Sequence, residues 1–339
     1  MKLMKTTEAV GQVLCHDMTQ IIPGVTKDAV FRKGHVVREE DIPVLLSIGK
    51  DHIYVWEKDE TKYHEDEAAD ILRELCQNDH MRATEAKEGK VELIAECDGL
   101  FLVDEERLVR VNSLGEMMIA TRHGNFPVKK GDKLAGTRII PLVIEKEKME
   151  EARRAAGDTP LLSLIPYKTK KAGIVTTGNE VYFGRIQDQF GPVIREKLAE
   201  FDVEVLGQTI VNDDPQKITA AIQAYLDQGA DFVVCTGGMS VDPDDTTPTA
   251  IKNTGAEIVS YGAPVLPGAM FLLAYTKDGR PIMGLPGCVM YAKRTIFDLV
   301  LPKVMADVRV SRADLAKFGM GGLCLGCKTC IFPNCGFGK

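Results

Sequence analysis

Two groups of residues in this 339-residue chain have types and spacings that could do chemistry. The first is dispersed. Thr176-Thr177-Gly178-Asn179-Glu180, Asn212-Asp213-Asp214, Thr236-Gly237-Gly238-Met239-Ser240 and Gly284-Leu285-Pro286-Gly287 each follow an apolar run and carry glycine, hydroxyl or carboxylate groups. The third continues through Val241-Asp242-Pro243-Asp244-Asp245-Thr246-Thr247-Pro248. Glycine lets backbone N–H groups approach an anion closely, because no side chain stands in the way. Carboxylates repel phosphate, but they could hold Mg²⁺, which bridges to phosphate through shared oxygen ligands. Asp214 and Thr247 also stand where a helix N-cap is expected. The second group is concentrated. Cys324-x2-Cys327-x2-Cys330-x4-Cys335 supplies four thiolates within the tail, a set that suits zinc or an iron–sulfur cluster. Zinc sites more often pair two Cys-x2-Cys units across a longer loop, so the spacing favours iron–sulfur.

The elements that must position the first group alternate from Lys170 onward. AGIVTT, VEVLGQTIV and DFVVCTGG are strand-like, and VIREKLAEF places Ile194, Leu198 and Phe201 at helical spacing. Asp214-Pro215 opens a second helix with Ile218, Ile222, Tyr225 and Leu226 on one face. A short helix begins at Thr247-Pro248, strands EIVSYG, MFLLAYT and RPIMGLPG follow, and Val289–Met305 is the last helix. Strands and helices in alternation predict an α/β fold, a mostly parallel sheet covered on both faces. Ligands of such sheets bind beyond the carboxyl ends of the strands, where all four segments of the first group fall. Upstream, KVELIAEC, GLFLVD, RLVRVN and MMIATRHG are expected as short strands of a small β-domain, and residues 145–158 as a charged linker helix.

Composition narrows the function classes. The formal net charge of −7 argues against nonspecific nucleic-acid binding. No apolar run reaches the length of a signal peptide or a membrane span. Nine cysteines, an odd number with four of them crowded into the tail, make a poor disulfide framework. A cytoplasmic protein without membrane association is expected.

Residues 170–307 resemble the molybdopterin-binding domain of molybdopterin adenylyltransferases and molybdopterin molybdenumtransferases. The motifs TTGNE, VNDD, TGGMSVDPDDTTP, PGAMF and GLPG occur in order. Gly237–Val241 looks like the molybdenumtransferase form of the loop, and Asp245–Pro248 like the adenylyltransferase form. Residues 8–57 also resemble the start of a molybdenumtransferase chain. The resemblance implies a three-layer α/β/α domain with a pterin-phosphate pocket at the sheet edge. It implies that Asp213, Asp245 and Glu180 position substrate and Mg²⁺, and that Thr177, Gly178, Gly237, Gly238, Ser240, Pro286 and Gly287 bind the pterin. Two positions depart from the family pattern. Asn179 replaces an acid in Thr-Gly-Asp-Glu, and Cys288 follows Leu-Pro-Gly where Asn or Ser offers a stronger hydrogen bond.

The expected organisation is therefore 1–78, a molybdenumtransferase-like N-terminal α+β region; 88–145, the small β-domain; 165–309, the molybdopterin-binding domain; and 320–339, a metal-binding tail using Cys324, Cys327, Cys330 and Cys335. Residues 170–307 are expected to fold without that tail. The expected function is Mg²⁺-dependent adenylyl transfer to molybdopterin, or insertion of molybdate, within molybdenum cofactor biosynthesis. The alternative is a non-catalytic carrier or sensor of the cofactor with a redox-responsive tail. Expected partners are the pterin phosphate, ATP and molybdate, with a second copy of the chain or a molybdoenzyme as protein partner.

Overall fold

The computed structural model describes residues 1–57, 59–240, 242 and 245–339, with the backbone alone at Thr26. Val241, Pro243 and Asp244, part of the third strand-end segment, lie outside the described residues. The chain divides into two compact units. One comprises Met1–Glu96, Val103–Arg122 and Gly131–Ser163, the other Cys97–Leu102, His123–Lys130 and Leu164–Lys339. The stretch 88–145 thus contributes to both units.

The first unit is built from small antiparallel sheets. Its largest has four strands in the order Met81–Ala83, Lys90–Ala95, Lys133–Ile139 and Met117–Thr121. The acid-rich segment before residue 70 feeds a helix, Glu65–Cys76, which buries Ala68, Ala69, Leu72 and Cys76. RLVRVN, expected as a strand, is instead part of a helix, Glu105–Asn112. A local cap decides this: the Asp104 carboxylate accepts the Arg107 N–H at 3.0 Å and nucleates the first turn. The Arg107 guanidinium donates to the carbonyls of Ala156 and Thr159 at 2.8 Å, which ties the helix down.

The second unit contains β1 (Lys171–Thr177), α1 (Asn179–Tyr182), α2 (Phe190–Ala199), β2 (Glu204–Val211), α3 (Pro215–Asp227), β3 (Phe232–Thr236), α4 (Thr247–Asn253), β4 (Glu257–Tyr261), β5 (Leu272–Tyr275), β6 (Pro281–Leu285), α5 (Ile296–Met305) and α6 (Arg312–Lys317). The six strands form one sheet in the order β2-β1-β3-β6-β5-β4. The pairs β1–β2, β1–β3 and β3–β6 are parallel, while β5 is antiparallel to both β4 and β6. Alternation along the strands sends Ile174, Phe232, Val234, Met283 and Leu285 to one hydrophobic core with α2 and α5. Val175, Val233, Cys235 and Ile282 go to a second core with α3 and α4. Both faces of the sheet are covered, which makes three layers.

The core does not close at residue 307. Val310, Leu315, Phe318 and Phe337 are all buried in the first of these cores. Residues beyond 307 therefore supply part of the packing of this core.

Candidate ligand site at the strand ends

The register brings the strand ends together. Thr177 pairs with Val211, and Thr176 and Leu285 both pair with Thr236, so β1, β2, β3 and β6 end along one rim. Beneath this rim lies a ladder of buried hydroxyls. The Thr236 hydroxyl donates to Thr176 Oγ1 at 3.2 Å, and Gln208 Nε2 donates to the same oxygen at 2.9 Å. Thr177 and Thr247 share a hydrogen bond of 3.2 Å, and Thr247 donates to the Gly237 carbonyl at 2.8 Å. Four threonines are thereby satisfied inside the protein, at a place where an unpartnered hydroxyl would be costly.

Two glycines are required by geometry. Gly237 has φ +85°, and a Cβ there would stand 2.1 Å from the Thr177 carbonyl oxygen. Gly238 has φ +56°, and its Cβ would meet Thr247 Oγ1 at 2.8 Å. The glycine pair lets the chain turn tightly over β1 in a backbone conformation that disfavours L side chains. The loop beyond it is tied at two points. Asp245 Oδ2 accepts the Ser240 N–H at 2.9 Å. The Tyr261 hydroxyl lies 2.9 Å from the Met239 carbonyl and 3.1 Å from that of Ser240, to which it donates. Burial pushes the Tyr261 phenol above its ordinary range, and the charge of Asp245 adds to this. Across the rim, Asp213 Oδ2 accepts the Asn179 N–H at 2.9 Å, and the Asp213 carbonyl accepts the Thr246 hydroxyl at 3.0 Å.

These segments enclose a cavity of about 400 Å³. Every expected pterin-binding residue (Thr177, Gly178, Gly237, Gly238, Ser240, Pro286 and Gly287) lines it, as do the three acids Glu180, Asp213 and Asp245. Phe190, Met239, Met270 and Met290 complete the wall. Neither Asn179 nor Cys288, the two departures from the family pattern, is among the lining residues. Asn179 acts through its backbone, and Cys288 is half-buried, its thiol pushed up by burial against a smaller opposing effect of Lys197.

Asp214 does cap α3, accepting the Gln216 N–H at 2.9 Å. Thr247 is not a cap. It lies inside the first turn of α4, and its hydroxyl is committed to Gly237 and Thr177. Tyr261 and Gln208 carried no sequence signal, since each sits in an ordinary strand pattern.

The four tail cysteines line a second cavity, also of about 400 Å³. One segment borders both cavities. Pro286, Gly287 and Met290 face the rim cavity, and Tyr291–Arg294 face the cysteines. Among the described residues, no three His, Cys, Asp or Glu side chains converge closely enough to hold a single metal ion. Neither the rim acids nor the cysteines form a ready-made cage for one ion.

Residues 173–306 match the family model described as "Probable molybdopterin binding domain". This part of the chain is a member of the molybdopterin-binding domain family. Residues 3–57 match a domain of unknown function, DUF8806. A CinA-like protein of Mycobacterium avium is 42% identical over 90 residues, which are 26% of this chain and 21% of that protein. The match therefore spans about a fifth of the relative's length. Among solved structures, the molybdopterin biosynthesis enzyme MoaB of Thermus thermophilus is 24% identical, covering 40% of this chain and 91% of its own, with a TM-score of 0.34. The tungsten cofactor synthesizing protein MoaB of Pyrococcus furiosus is also 24% identical, covering 43% and 98%, with a TM-score of 0.36. No helix among the described residues is long and apolar enough to cross a membrane.

Proposed function

We propose that the rim cavity binds the pterin phosphate of molybdopterin and that the protein carries out a Mg²⁺-assisted step of molybdenum cofactor biosynthesis. The observation that carries this reading is the convergence of ten expected residues on one cavity within a molybdopterin-binding domain. In this reading the backbone N–H groups of Gly237 and Gly238 and the Ser240 hydroxyl face the phosphate. One or two of Asp213, Asp245 and Glu180 would supply oxygen ligands for Mg²⁺, with phosphate and water oxygens filling the rest of its shell, and the ion would neutralise phosphate charge that the acids alone would repel. Asp213 and Asp245 each accept a backbone N–H, which fixes the direction of their carboxylates.

Two reactions suit this site. In adenylyl transfer, a phosphate oxygen of the pterin attacks the α-phosphorus of ATP and pyrophosphate leaves, its charge one that bound Mg²⁺ would neutralise. In molybdate insertion, the dithiolene sulfurs of the adenylylated pterin bond molybdenum while molybdate oxygen leaves as water, and a water oxygen takes the adenylyl phosphorus so that AMP leaves. Both draw their rate mainly from positioning and charge neutralisation. The position of Asn179 and Cys288 outside the cavity lining supports a working transferase over a carrier, because neither departure removes a group from the wall.

Calorimetry with the pterin phosphate, with and without Mg²⁺, tests the reading. Asp245→Asn is expected to weaken Mg²⁺-dependent binding by about tenfold, or about 1.4 kcal/mol. Equal affinity in variant and parent would remove Asp245 from the site. Turnover assays with MgATP, and separately with molybdate and the adenylylated pterin, assign the step. No turnover in either, with binding intact, would favour the carrier.

A further inference from the structure

Residues 322–339 contain no helix or strand, yet they are firmly held at their base. The Gly338 N–H donates to the Gly321 carbonyl at 2.9 Å and closes the neck of the loop. Next to it, Leu266 N–H donates to the Gly322 carbonyl and Cys324 N–H to the Leu266 carbonyl, each at 2.8 Å. Phe337 is buried, and a Cβ on Gly338 would stand 2.5 Å from the Leu299 side chain. A loop of this length without regular structure is uncommon unless it serves a function.

What the loop encloses is the cavity lined by Cys324, Cys327, Cys330 and Cys335. Cys324 and Cys335 pack against the hydrophobic core, and Cys327 and Cys330 are exposed. The sulfurs border one space without meeting at one point. A single zinc ion needs four sulfurs about 2.3 Å from one centre. An iron–sulfur cluster spreads its four thiolate ligands around a core several atoms wide. Four thiolates add negative charge, and the region from Val308 onward offsets it with Arg309, Arg312, Lys317, Lys328 and Lys339 against one acid, Asp314.

We propose that the cysteine loop is the site of a [4Fe–4S] cluster. Each cysteine gives its thiol proton to solvent as its sulfur bonds iron, and the clasped neck keeps the two half-buried ligands in place while the two exposed ones close over the cluster. The Cys-x2-Cys-x2-Cys run is the spacing that brings three sulfurs to one cluster, and Cys335, which borders the same cavity, is the fourth ligand.

The test uses the full chain under anaerobic conditions. The added probes are equal parts ferrous and ferric iron with inorganic sulfide, which sum to the oxidised core with no electron left over. About four irons and four sulfides per chain are expected, with broad visible absorption. The double variant Cys327→Ser/Cys330→Ser alters only exposed side chains, so it should keep the parent circular dichroism while losing more than half of the bound iron. Cys97→Ser, outside the tail, should keep the full iron content. Two irons and two sulfides per chain would overturn the nuclearity. Tight binding of one zinc with no uptake of iron, or full iron retention in the double variant, would overturn the site. The assay contains no pterin, so its failure is separate from any failure of the rim cavity to bind one.

Discussion

The rim cavity and the cysteine cavity lie in the same unit and are similar in volume, but they are built in opposite ways. The rim cavity stands on the ends of four strands, with a buried threonine ladder below and two tied loops above. Its shape is set by backbone register and by hydrogen bonds made within the protein. The cysteine cavity has no regular element along its loop. It is fixed at the neck by Phe337 and three backbone hydrogen bonds, and four thiols border its interior. The contrast teaches that a small-molecule site can be organised by the fold alone, whereas a thiolate site on a loop needs only its base fixed, because the metal–sulfur bonds can organise the rest.

Substitutions sharpen the contrast, beginning with the largest expected effect. Phe337→Ala should destabilise the protein by about 4 kcal/mol in denaturant unfolding, the usual cost of emptying a buried aromatic site. A change below about 1 kcal/mol would mean that the neck is not part of the core. Gly237→Ala should cost about 3 kcal/mol and abolish pterin binding, since its Cβ runs into backbone at a positive φ. Retained affinity there would break the claim that the rim is shaped by backbone. Tyr261→Phe should cost about 1 kcal/mol, the worth of one hydrogen bond, and weaken pterin binding more than it lowers the melting temperature. Gly326→Ala in the cysteine loop should cost only about 0.5 kcal/mol. Its φ is +63°, but no atom lies within 4 Å of the added Cβ, and the smaller unfolded-state entropy offsets part of the strain. A loss as large as that of Gly237→Ala would show the loop to be as rigidly specified as the rim.

The α/β architecture was legible because its signals are local and repeated. Apolar runs of strand length, each followed by a capped helix pattern, define the layers, and the ends of those runs show where chemistry gathers. Gly237, Gly238 and Asp213 were visible for that reason. What the sequence hid was long-range. Thr247 has the composition of a cap, and only the fold shows that its hydroxyl reaches back across the sheet to Gly237 and Thr177. Tyr261 lies 22 and 21 residues beyond Met239 and Ser240, whose carbonyls it ties. RLVRVN is short and carries two β-branched valines as a strand would, and one capping carboxylate with a tethered arginine turned it into a helix. The tail's contribution to the core was equally hidden, because Phe318 and Phe337 are isolated aromatics in a glycine-rich sequence with no period to announce them.

The segment Pro286–Arg294 remains. Its start is wall to the rim cavity and its end is wall to the cysteine cavity. The buried Lys197 ammonium holds the far end, donating to the Lys293 carbonyl at 2.8 Å and to Asp298 at 2.8 Å. A shared wall places the two cavities in one thermodynamic cycle. Whatever factor the loading of the cysteine loop applies to the affinity for pterin, the pterin must apply the same factor to the loading of the loop. The Lys197–Asp298 pair resists movement of that wall, so the size of the factor measures how far the pair lets it yield.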